Sequence, residues 1–291
     1  MPSYRFCRSD DVPLLVEAYE ACYRVHSPGA PGLTVDGFKR WTRTLDLWTS
    51  SCMVATVGDE PVSVLLATKR DDEALVWAVG TKPGHERRGH AGHLLDSLAS
   101  KQAILGPPRI VAEVPQDRDG PRALFEACGY RLERTLTDFE LDAQVEPPPG
   151  AELVVTARWG ELIEHGAPPP RARCWERSAA TLARRKHEIA ALAVVSDARV
   201  EAWLAYEPDE ASPARTVMGF GCADPARDAV WARLLVGVLV SSSGRPLRLP
   251  RADPDEIAFD VLTAIGFHPG ARTSVCARRA TLPSHESPIL R

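Results

Sequence analysis

The stretch Gly84-His85-Glu86-Arg87-Arg88-Gly89-His90-Ala91-Gly92 decides how this chain is read, because it follows a β-rich run at residues 74–81 and opens a helix with Leu94, Leu95 and Leu98 at helical spacing. A helix N-terminus leaves about four N–H groups unpaired and carries roughly half a positive charge, so it can hold an anion. Gly89, Ala91 and Gly92 let anionic oxygens approach the main chain, which larger side chains block. Arg87 and Arg88 add charge-assisted donors at the rim, so a diphosphate is the natural guest. Glu86 works against such a guest unless its carboxylate points outward. Two rival phosphate loops fail. Gly84 and Gly89 have Walker A spacing, but His90-Ala91 stand where Lys-Ser/Thr is needed, and a Rossmann turn belongs after the first strand of a βαβ unit, not after a meander.

Working outward, residues 4–8 read as a strand, and Ser9-Asp10-Asp11 caps a helix whose apolar face carries Leu15, Tyr19, Cys22 and Val25. A second helix covers 35–45. Runs at 52–57, 61–68 and 74–81, separated by turn residues, form a three-strand meander. After the helix at the loop come a strand at 109–114, a helix at 121–128 and a strand at 131–141. The second half repeats much of this: a strand at 153–157, a helix at 172–189, strands at 190–195, 200–206 and 216–223, a helix at 226–240, then strand 247–249, helix 254–265 and strand 267–278. Both halves contain an apolar helix end stopped by Gly and followed by an aromatic, Gly129-Tyr130 and Gly266-Phe267. The expected fold class is α/β, each half a mixed, mostly antiparallel sheet flanked by helices. The triplet Pro147-Pro148-Pro149 suits an extended connector, giving domains at 1–145 and 151–280 and a tail at 281–291.

The length of 291 residues fits two globular units, and 44% apolar with 25% charged residues excludes a mainly disordered or coiled-coil chain. A net charge of −4 gives no overall signal for nucleic acid or a membrane surface. No apolar run approaches the ~20 residues that span a bilayer, and MPSYRFCRSDD lacks the apolar core of a secretory signal. The seven cysteines are scattered and never form Cys-x-x-Cys, so they read as reduced, buried thiols in a cytoplasmic protein.

The loop resembles that of the GNAT acyltransferase superfamily, Arg/Gln-x-x-Gly-x-Gly/Ala, here Glu86-Arg87-Arg88-Gly89-His90-Ala91 with Pro83 ahead of it. The family's helix end Leu-Tyr-Glu-x-x-Gly-Phe appears as Leu124-Phe125-Glu126-Ala127-Cys128-Gly129-Tyr130, in the same order and spacing. The resemblance implies tandem acyl-CoA N-acyltransferase-like domains, with acetyl-CoA as cosubstrate and no metal. Its cofactor-binding residues would be Val79, Thr81, Arg87, Arg88, Gly89, His90, Ala91, Gly92 and Phe125. It also implies that the strand before the loop splays from its neighbour, leaving backbone groups near Val79 and Thr81 to pair with the pantetheine arm. The second half matches only in architecture: Asp224-Pro225-Ala226-Arg227-Asp228 follows the corresponding strand, placing acids where the anion cup belongs, so it reads as a degenerate copy.

The implied reaction is direct attack by a small-molecule or peptide primary amine on the acyl carbon, with Glu113 as the candidate catalytic base. Glu113 alternates with Ala112 and Val114 and so faces the opposite side of the sheet. Phe125 stands where the family has a proton-donating Tyr, and Tyr130 lies too far around to replace it. These departures keep a second expectation in play, a coenzyme- or partner-binding module without turnover. His85, His90 and His93 read as loop histidines, since no Cys or carboxylate completes a ligand set. Arg184-Arg185-Lys186-His187 reads as a solvated helix end, and Trp159, Trp175, Trp203 and Trp231 as packing residues.

Overall fold

The protein is described from a computed structural model over residues 1–142, 148–196 and 199–282. It divides into two compact units, Met1–Arg134 with Ser274–Arg291, and Thr135–Thr273. Of the expected seam, Pro147 lies outside the described residues, as does the expected tail from 283 on.

Unit 1 runs β1 (Pro2–Phe6), α1 (Val12–Cys22), α2 (Val35–Thr44), β2 (Met53–Val57), β3 (Glu60–Lys69), β4 (Glu73–Thr81), α3 (His90–Leu105), β5 (Arg109–Pro115), α4 (Asp119–Ala127) and the start of β6 (Arg131–Leu141). The meander is present: β1, β2, β3 and β4 pair antiparallel in turn, and β4 then pairs parallel with β5. The strand beyond β5 is the end of the chain's last strand, not the β6 that follows it in sequence. Within this unit Ala280 N–H bonds Pro108 O at 2.8 Å and Cys276 joins the α3-side core. The packing division therefore falls inside β6, ahead of the proline seam at which the sequence divides.

Each face of the unit 1 sheet has its own core. On one, Leu94, Leu95 and Leu98 of α3 and Phe125 of α4 pack against Met53, Leu65, Val76, Ile110 and Ala112. On the other, Leu15 and Tyr19 of α1 and Phe38 of α2 pack against Val54, Val64, Leu66 and Ala78. The apolar spacing on the helices puts those side chains on one stripe, and alternation along the strands supplies both faces. Thr34 starts α2 by accepting the Gly37 N–H at 3.0 Å.

Unit 2 contains β7 (Val154–Arg158), α5 (Trp159–Glu164), α6 (Ala179–Arg184), β8 (Ala190–Ser196), β9 (Arg199–Tyr206), β10 (Arg215–Cys222), α7 (Asp228–Ser243), β11 (Leu247–Ala252), α8 (Phe259–Ile265) and the start of β12 (His268–Arg279). Its order is β6-β11-β10-β9-β8-β7, with β10–β11 parallel and β6–β11, β10–β9, β9–β8 and β8–β7 antiparallel. The helix expected at 172–189 is not formed. Trp175–Arg177 makes a single 3-10 turn, Ser178 takes extended backbone and caps a new start by accepting the Thr181 N–H, and the α-helix covers only Ala179–Arg184. The short α5, which periodicity does not reveal, is held by the Glu161 carboxylate accepting the Arg158 N–H at 2.9 Å. Trp159, Trp175, Trp203 and Trp231 are all buried. Among the described residues no helix is long and apolar enough to cross a membrane.

Candidate functional site

The β4–α3 loop is built from positive-φ turns. Gly84 (φ 84°) and Gly89 (φ 82°) take the left-handed conformation cheaply, and a Cβ on either meets nothing within 4 Å, so both face open space. Arg87 also has a positive φ, 59°, which is costly for a residue with a side chain and is the sort of strain that collects at functional loops. The Arg88 guanidinium donates to Gly84 O at 2.9 Å and braces the loop from within. Gly89 is the N-cap of α3 and no side chain caps the helix, whose first ladder bond runs from His93 N–H to Gly89 O at 3.0 Å. The N–H groups of His90, Ala91 and Gly92 therefore stand at an uncapped helix start.

Glu86 does not cap that helix. Its carboxylate accepts the Gly84 N–H at 2.7 Å and lies 3.8 Å from His26 Nε2. Main-chain N–H groups, its own and that of Gly84, hold its carboxyl below the usual range. The loop amides already orient toward an anionic oxygen, and the competing carboxylate is tethered on the strand side of the helix start.

The side chain of His90 turns away from the cup. It is buried, and its Nδ1 lies 2.7 Å from the Tyr4 hydroxyl. Burial, helped by neighbouring His85, Arg88 and His93, lowers its pKa. His90 can thus offer an anion its main-chain N–H, while its neutral ring pins the helix start to β1. Among the described residues no group of three or more His, Cys, Asp or Glu is arranged to hold a metal.

Beside the loop the sheet opens. The parallel β4–β5 register ends at Val76↔Ala112. On the other side of β4 the β3–β4 register slips at the very next residue: Leu66 faces Ala78 and Ala67 faces Val76, so Trp77 is an extra, bulged residue. A bulge bends its strand and increases the local twist, which carries β4 away from β5. Lys82 N–H bonds Val62 O, so by strand alternation the N–H and C=O of Val79 point away from β3, into the opening. Thr81 differs from expectation: its carbonyl accepts from His26 Nε2 at 2.7 Å. Gly80 is required here, because a Cβ would lie 2.3 Å from Cys22 O, where the end of α1 crosses the strand.

Glu113 lies on β5 one step past the last paired residue. Its neighbours Ala112 and Val114 are in the α3-side core, so its half-buried side chain takes the α1/α2 face. Phe125 is buried, edge-on to Tyr130 with centroids 4.9 Å apart. The Tyr130 hydroxyl is buried with no hydrogen-bond partner among the described residues, and burial raises its pKa. Val79, Arg87 to Gly92 and Glu113 are thus gathered at one end of β4 and β5, whereas Phe125 lies beneath in the core. The sequence reading passes over Tyr4, His26, Trp41 and Trp77; nothing local marks them, since their roles depend on partners 55 and 86 residues away for His26 and Tyr4.

The corresponding place in unit 2 is arranged differently. The β10–β11 register also ends early, at Thr216↔Arg248. Here Asp224 caps the turn before α7 by accepting the Ala226 N–H at 3.0 Å, and Asp228 opens the helix with Arg171 on its carboxylate at 2.7 Å. A Cβ at Gly221 would lie 2.4 Å from Trp203 Nε1, so an indole presses on the strand.

Unit 1 is thus an α/β unit in which a parallel strand pair parts beside an uncapped, glycine-rich helix start. Residues 13–130, within unit 1, match the model of the Acetyltransferase (GNAT) family. Acetyltransferase plu1384 of Photorhabdus laumondii is 26% identical over 126 residues, 43% of this chain and 84% of that protein. Among solved structures, a GCN5-related N-acetyltransferase from Sphaerobacter thermophilus aligns at a TM-score of 0.65 and 15% identity over 96% of each chain. A tandem GNAT protein from the clavulanic acid biosynthesis pathway aligns at 0.65 and 16% identity, covering 98% of this chain and 100% of that one. At those identities the structural likeness bears on the fold.

Proposed function

We propose that unit 1 is an acetyl-CoA-dependent N-acetyltransferase that moves an acetyl group to a primary amine, and that unit 2 is a degenerate copy of the same fold without a coenzyme site. The observation that carries the reading is the coincidence of two features at one end of β4: the uncapped start of α3 at Gly89 and the parting of β4 from β5 after Val76. The residues present fit the coenzyme. The N–H groups of Gly89 to Gly92 and the Arg87 side chain hold its diphosphate, and Val79 offers a free strand edge to its pantetheine arm. Bound there, the coenzyme supplies an activated acyl thioester.

The chain's own groups do the rest. The Val79 N–H points into the opening, where it can donate to an oxygen that gains negative charge. An amine with a pKa of ~10.4 is almost wholly protonated at pH 7, so a base is needed, and the Glu113 carboxylate on the neighbouring strand takes that proton directly or through water. Phe125 has no hydroxyl to return a proton to the departing thiolate. That absence favours a second reading, a module that binds coenzyme without turnover.

Calorimetric titration with coenzyme A and with pantetheine, which lacks the diphosphate, tests the binding site: coenzyme binding that is lost with pantetheine supports it, and no binding of either refutes it. A coenzyme at 100 times its Kd raises stability by about 2.7 kcal/mol, which thermal unfolding detects. Thiol release from acetyl-CoA across an amine panel separates the two readings, since binding without turnover favours the module.

A further inference from the structure

We propose that unit 1 selects an acceptor whose primary amine is carried a short spacer away from an aromatic ring, with Trp77 and Trp41 as the ring platform and Glu113 as the ammonium partner. The proposal rests on the acetyl-transfer reading above and adds the class of acceptor.

The observation starts at the bulge. Because Trp77 is the extra residue, it and Ala78 both turn to the α1/α2 face, the face Glu113 also takes. Val76 and Ala112 are the last pair, so Trp77 and Glu113 are the next residues on two parting strands, at the same level. Paired strand backbones lie about 4.8 Å apart and the parting adds to that, so the Trp77 and Glu113 side chains spring from neighbouring positions on one face. An acceptor that meets both needs only a short spacer between ring and amine.

The platform is not ordinary core. Trp159 and Trp203 are 2% and 0% exposed, as packing tryptophans should be, whereas Trp41 and Trp77 are only partly buried although Val64, Leu66 and Ala78 beside them are closed to solvent. The two indoles meet edge-to-face at 5.6 Å, and Tyr19 backs Trp41 at 5.9 Å, so the rings are held rigidly from behind. A rigid aromatic wall adds a flat apolar group at small entropic cost.

Charge narrows the class further. The C-terminal carbonyl end of α1 lies against β4 at Gly80, where the helix dipole favours a cation. Across the open end, Arg118 donates to the Ser27 hydroxyl at 2.6 Å and to His26 O at 3.1 Å, while His26 donates to Thr81 O. That fixed guanidinium repels a second positive charge, so a monoamine with a ring is favoured over a polyamine.

The test uses the full chain with acetyl-CoA and three acceptors, 2-phenylethylamine, butylamine and spermidine. The expected result is a kcat/KM for 2-phenylethylamine roughly tenfold or more above the other two. In Trp77→Ala that preference ratio falls toward one, and in Trp77→Phe it is largely kept, with the Kd for coenzyme A confirming that each variant is folded. A ratio near one in the wild type, or one unmoved by Trp77→Ala while coenzyme binds normally, overturns this proposal and leaves the acetyl-transfer reading intact. Failure of coenzyme A to bind overturns that reading instead. Direct titration with 2-phenylethylamine, followed by tryptophan fluorescence in wild type and Trp77→Ala, then judges the ring platform alone: binding lost in the variant supports it, and no binding to the wild type refutes it.

Discussion

Replacing Gly80 by Ala tests the contact that sets α1 against the strand end of the site. A Cβ there would lie 2.3 Å from Cys22 O, 2.9 Å from Cys22 C and 2.8 Å from Tyr23 Cα. All three are backbone atoms, so no side chain can swing aside, and either the end of α1 or the end of β4 must shift by about an ångström. Overpacking of this kind costs roughly 1–3 kcal/mol, at the upper end when backbone must move. Ala also loses less chain entropy on folding than Gly, which returns about 0.4–1 kcal/mol. The net expectation is a loss of about 2 kcal/mol, and for a unit of this size each kcal/mol lowers Tm by roughly 2–4 °C. Gly92→Ala is the control of equal size. Its Cβ meets only Cys128 Sγ at 3.8 Å, an ordinary contact, and in a helix Ala is favoured over Gly by about 0.5–1 kcal/mol. Urea denaturation of both variants should give midpoint shifts of opposite sign with unchanged slopes. If Gly80→Ala matches wild type or Gly92→Ala, the close approach of α1 to β4 is not real, and the position assigned to Tyr23 and His26 falls with it.

Other tests follow from individual contacts. Arg177 and Glu256 form a buried bidentate pair, each side chain 1% exposed, with bonds of 2.7 and 2.6 Å. Arg177→Met alone should cost roughly 3–5 kcal/mol by stranding the carboxylate, and adding Glu256→Leu should recover much of it; equal losses in the single and double variants would refute the coupling. His90 has a folded-state pKa below its unfolded value, so its contribution to stability is complete above the unfolded value near ~6.5 and is lost as pH falls toward the lower folded value. The drop in urea midpoint between pH 7.5 and pH 5 should therefore be smaller in His90→Gln than in wild type, and an equal drop would contradict the buried, neutral ring. Asp224→Ala removes the turn cap ahead of α7 and should lower unit 2 stability by about 1 kcal/mol with no effect on coenzyme binding, which thermal unfolding with and without coenzyme A reports.

The sequence alone determined what neighbours in the chain decide. Helix and strand periods, the turns, the glycines at 84 and 89 and the uncapped start of α3 are set by residues within about four positions of one another, so α1 to α4 and β1 to β6 lie close to where periodicity puts them. Even locally, the helix expected at 172–189 shows the limit, because the Ser178 cap divides a span whose apolar spacing is continuous. Only the tertiary structure decided which strand stands beside β5, where β4 leaves β5, and that His90 faces Tyr4 while Trp77 joins Glu113's face. Those outcomes follow from burial and strand pairing across long separations: closing the unit 1 sheet with Ser274–Arg279 places Cys276 in a core otherwise built from residues before 131, a choice no local pattern encodes. The bulge at Trp77 is of the same kind, since it exists only as a mismatch between two strands and not in either strand's own sequence.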